Sequence, residues 1–74
     1  MTDEKRAEQR EILNLVYDAL KFKGYNPIDQ IVGYMVTNDP SYVTTYNNAR
    51  NILANADRDY LLEEVLLEYF RNKE

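Results

Sequence analysis

Apolar and polar positions alternate along this chain with a helical period in four places. Ile12, Leu13, Val16, Tyr17 and Leu20 recur at i, i+1, i+4, i+5 and i+8, one stripe of a 3.6-residue repeat. Lys21 and Lys23 close that pattern with cations that complement the helix dipole, and Gly24 supplies a left-handed stop. A second helix starts cleanly. Asn26 is an N-cap, Pro27 fits the first helical position, and Asp29 follows at the third. Its apolar face is Ile28, Ile31, Val32, Met35 and Val36. Gly33 falls inside the helix, where it costs about 1 kcal/mol against alanine. It therefore marks a close approach of backbone, from a second copy of the chain or from helix 1.

Thr37-Asn38-Asp39-Pro40 is a turn, and Ser41-Tyr42-Val43 continues it as a single helical turn begun by Pro40 and capped by Asp39. Thr44 or Thr45 then caps a third helix, with Tyr46, Ala49, Ile52, Leu53 and Ala56 facing inward. It is asparagine-rich and a weak helix former. Asp57 caps the fourth helix. Its residues Leu61, Leu62, Val65, Leu66, Tyr69 and Phe70 form the strongest apolar stripe in the chain. The expected fold is all-α, a compact bundle of four helices plus a short helical turn. Residues 1–10 are almost wholly polar and read as a flexible N-terminal segment. Residues 11–74 read as a single helical domain.

The 74 residues make one domain at most, and a core this small is marginal alone. A homodimer is therefore expected, with Ile28, Ile31, Val32, Gly33 and Met35 as its face. There is no cysteine and no histidine, which removes disulfides, thiolate metal sites and the commonest general base. Neither a metal, a cofactor nor a catalytic residue is expected. Glu63, Glu64 and Glu68 are better read as a solvated helix face than as catalytic carboxylates. The net charge of −4 is concentrated in residues 57–74, and an acidic surface repels phosphate backbones and anionic lipids. The polar N-terminus is no signal peptide and no apolar run spans a bilayer, so the chain reads as soluble and cytoplasmic, binding neither nucleic acid nor membrane.

Among the tyrosines, Tyr17 and Tyr69 lie on apolar stripes and are expected in the core. Tyr25, Tyr34, Tyr42 and Tyr46 gather around the central turn and suit a partner surface. Helix 2, the turn and helix 3 also admit a helix-turn-helix DNA-binding reading, although helix 3 offers only Arg50 to a phosphate. A generic interaction adaptor is the other alternative.

The run K-G-Y-N-P-I-D-Q-I-V-G-Y, followed by N-D-P-S-Y-V, N-A-R-N-I and R-D-Y-L-L-E-E, resembles the IreB/ReoM family of small regulatory proteins of low-GC Gram-positive bacteria. The resemblance spans roughly residues 12–70. It implies a helical homodimer without enzymatic activity that is a substrate of a membrane Ser/Thr kinase and its partner phosphatase. In unphosphorylated form such a protein promotes degradation of the UDP-N-acetylglucosamine enolpyruvyl transferase by the ClpC–ClpP protease, and so restrains peptidoglycan synthesis. Its partners would be the Clp protease system or that enzyme. Matching motif positions make Tyr42, Arg50 and Arg58 the expected partner contacts. Thr2 is the available phosphorylation position, although Asp3, Glu4 and Lys5 follow it where the family has hydrophobic residues.

Overall fold

The computed structural model describes residues 1–73, and among them the regular structure is entirely helical. Four α-helices follow in order: α1 (Asp3–Phe22), α2 (Pro27–Thr37), α3 (Ala49–Ala54) and α4 (Arg58–Tyr69). Helix α1 is the spine, and α2, α3 and α4 all pack against it.

Local chemistry sets most of the boundaries. Asn26 Oδ1 accepts the Asp29 amide at 3.2 Å, and Pro27 opens α2 with its φ already helical. Gly24 ends α1 at φ +85°, where its own amide reaches Lys21 O and the Tyr25 amide reaches Leu20 O, both at 3.0 Å. Asp39 caps a 3₁₀ turn at Pro40–Tyr42 through the Ser41 amide at 3.0 Å, and Asp57 caps α4 through the Asp59 amide at 2.9 Å. These sites agree with the sequence reading.

Three elements differ from it. First, α1 begins at Asp3 rather than near Glu11. Thr2 is its N-cap, with Oγ1 accepting the Lys5 amide at 3.0 Å, so residues 3–10 are the opening turns of the helix. Second, Thr44 and Thr45 precede a 3₁₀ turn and not an α-helix: Thr44 Oγ1 accepts the Tyr46 amide at 3.2 Å. Asn47 and Asn48 take left-handed φ values of 54° and 61°, which no α-helix accommodates. The segment is instead a 3₁₀ turn at Tyr46–Asn48 followed by the short α3, and Tyr46 lies exposed and stacked on Phe22 at 4.6 Å between ring centroids. Third, α4 turns most of its apolar stripe outward. Leu61 is buried, but Leu62, Val65, Leu66 and Phe70 are exposed and Tyr69 is 78% exposed. Tyr17 and Tyr69 are therefore surface residues, not core.

The core is Val16, Ala19 and Leu20 of α1, Tyr34 of α2, Val43 of the connecting loop, Ala49 and Leu53 of α3, and Leu61 of α4. Tyr34, expected among the surface tyrosines, is buried, and its hydroxyl donates to Leu53 O at 3.3 Å. A buried phenol needs such an acceptor.

Candidate functional site

The outward face of α2 carries Ile28, Val32 and Val36, the last 77% exposed. They stand beside Leu62 and Val65 of α4 and Leu13 and Tyr17 of α1, and the elements enclose an apolar groove of about 540 Å³. Ile31 and Met35 form part of its lining from half-buried positions. Asn14 is its one polar side chain. A patch of this kind on a small domain marks a contact surface. Four of the five residues expected on a dimer face, Ile28, Ile31, Val32 and Met35, thus meet in one place.

Gly33 does not join them. A Cβ built there would lie 2.5 Å from Cδ1 and Cε1 of the Tyr42 ring. Within the chain, the close approach that glycine permits is made by the Tyr42 side chain and not by the backbone of helix 1.

Each of the three expected partner contacts also has an internal task. The Tyr42 ring covers Gly33, and its carbonyl accepts from Gln30 Nε2 at 2.8 Å. Arg50 Nε donates to Val43 O at 2.8 Å, tying α3 to the loop. Arg58 Nη1 donates to Met35 O at 2.8 Å, clasping the start of α4 to the last turn of α2. These bonds use backbone carbonyls, which are strong acceptors that helix ends leave free. Arg50 lines a separate dimple of about 230 Å³ with Pro40, Thr45, Asn48, Asn51 and Ala54. Near it, the Ser41 amide and hydroxyl hold the Asp39 carboxyl below its ordinary range, helped by the charge of Arg50. Helix α3 is only six residues long, and Arg50, the one cation the helix-turn-helix reading gave it, is engaged on Val43 O.

One cluster was hidden in the sequence. Glu64, expected in solvent, is 1% exposed. Arg6 Nε reaches its Oε1 at 2.6 Å and Arg10 Nη1 its Oε2 at 3.1 Å, while Arg6 Nη2 also reaches Glu68 at 3.4 Å. The hydrogen bond from Arg6 holds the Glu64 carboxyl below its ordinary value of 4.5. Burial opposes this, and Arg10 adds to it. The same bond raises Arg6. The usable signal was the i, i+4 spacing of Arg6 and Arg10, visible only once α1 is extended to Asp3.

Among the described residues no three acidic side chains gather as a metal-binding group, and no helix is long and apolar enough to cross a membrane. What the surface offers is shape and apolar area. The fold is that of a small all-helical protein with an apolar groove on its surface. The chain belongs to the IreB regulatory phosphoprotein family, whose model matches residues 1–71. It is similar to a UPF0297 protein of Ruminiclostridium cellulolyticum, with 56% identity over 70 residues that cover 95% of this chain and 80% of that protein.

Proposed function

We propose that this regulatory protein acts by binding and not by catalysis, as a cytoplasmic homodimer that restrains peptidoglycan synthesis. In this reading it promotes ClpC–ClpP degradation of the UDP-N-acetylglucosamine enolpyruvyl transferase, and a Ser/Thr kinase and its phosphatase control that effect. The observation that carries a binding role is the apolar groove between α2 and α4. A second copy seated there would cover Ile28, Val32 and Val36 and extend a core that is small for an independent domain. The choice of enzyme and protease rests on family membership.

Kinase control would act at Thr2 in this chain. Its hydroxyl is the N-cap of α1, and a phosphate there would stand at the positive end of the helix dipole. The test is the half-life of the enolpyruvyl transferase after translation is blocked, in cells with and without this gene. The enzyme is expected to persist longer without the gene. An unchanged half-life would remove this reading. Mass spectrometry of the protein from cells with and without the kinase checks whether Thr2 carries the phosphate.

A further inference from the structure

Helix α4 has two faces that compete for the body of the protein. About 100° of rotation separates successive residues. The stripe of Leu62, Val65, Leu66 and Tyr69 is therefore centred roughly 150°, about two-fifths of a turn, from Glu64. Apolar transfer favours burying the stripe. The structure buries Glu64 beside Leu61 and leaves the stripe outside.

We infer that Arg6, Arg10 and Glu64 are positioning residues, which fix the rotation of α4 about its own axis and so place Leu62 and Val65 of its apolar stripe in the lining of the groove. Arg6 and Arg10 lie one turn apart on the same side of α1 and converge on one carboxylate, Arg6 reaching both oxygens and Arg10 sharing Oε2. A rotation of α4 by a single residue would carry Glu64 out of reach of both. An unpaired buried carboxylate is too costly to keep, so the clamp admits one setting of the helix. Fixing register is also the best-attested role of buried ion pairs, which add little net stability against apolar replacements. The clamp continues along the same seam, with Glu68 against Arg6 at 3.4 Å and Glu63 against the terminal amine at 3.7 Å. Leu61 is the one apolar residue of α4 in the core, too small an anchor to oppose four outward apolar side chains.

The inference uses the proposed function only in taking the groove as the contact face. Its test involves no partner, so each can fail without the other. Methyl NOE spectra of the full chain report which α4 residue touches the core. In the native protein Leu61 methyls give the cross-peaks to the core methyls. The double variant Arg6→Met/Arg10→Met keeps the aliphatic stems and strands Glu64. It is expected to remain helical by circular dichroism, to lose the Leu61 cross-peaks, and to gain core cross-peaks from Leu62 and Val65. A helical double variant that retains the Leu61 pattern would overturn the inference. If the double variant does not fold, the triple variant Arg6→Met/Arg10→Met/Glu64→Met removes the stranded charge. It should fold with two sets of α4 resonances, from two settings of the helix. A single native-like set would overturn the inference in that case.

Discussion

Gly33→Ala separates intrachain packing from self-association, and its sign is decided by one neighbouring ring. In an open helix the substitution would stabilise the protein by about 1 kcal/mol through propensity. Here the new methyl would sit 2.5 Å from two carbons of the Tyr42 ring, whose carbonyl is fastened to Gln30. Overpacking of this kind costs about 1–3 kcal/mol. The net expectation is a loss of about 1 kcal/mol, the overpacking outweighing the propensity gain. Urea unfolding followed by far-ultraviolet circular dichroism, at one fixed protein concentration, measures it. In a Tyr42→Ala background the obstruction is gone and the same substitution should stabilise by about 1 kcal/mol, giving a coupling of about 2 kcal/mol between the two positions. A gain of about 1 kcal/mol in the native background would refute the packing argument. A fall in association state that is indifferent to Tyr42 would place Gly33 against a second chain instead.

Three more outcomes follow from the contacts. Arg50→Ala is expected to lower unfolding stability by about 1–2 kcal/mol, because it removes the charged donor from Val43 O, and denaturant midpoints check this. Glu64 has a depressed carboxyl in the folded state, so its contribution is complete above its ordinary value of 4.5 and disappears as pH falls through the lower folded value. Glu64→Gln should therefore be less stable than the native protein at neutral pH, and the gap should narrow below about 4.5 in a series of urea titrations. Gln9 lies on the same face of α1 as Val16 and Leu20, and its buried Oε1 accepts no hydrogen bond among the described residues. Gln9→Met should raise stability by about 1 kcal/mol, read from the thermal or urea midpoint.

The sequence disclosed what is decided within a few residues. Gly24, Asn26, Asp39 and Asp57 stop or cap their elements because each bonds to a backbone group two to four positions away. It disclosed less where the deciding partner is remote. The opening turns of α1 have no apolar residue to dock, and their anchor is Glu64, far along the chain. The outward stripe of α4 broke the rule that the most apolar face turns inward, because two guanidiniums claimed another face. The groove residues were legible as the apolar face of α2. The internal roles of Tyr42, Arg50 and Arg58 were not, since the glycine that Tyr42 covers and the backbone carbonyls that the two arginines bond have no signature in side-chain pattern. The left-handed pair Asn47–Asn48 is a residue type that tolerates such backbone, but nothing nearby required it there.

The Arg6–Glu64 bond also sets a timetable for biosynthesis. It joins residues 58 positions apart, so the opening turns of α1 are synthesised long before their docking site on α4. Until α4 is made, Arg6 and Arg10 have no carboxylate of that helix to meet. The seam with α4 can close only after α4 itself has emerged. A chain truncated ahead of α4 would keep its N-terminal end exposed, and that end would be open to proteases in a way the finished protein is not.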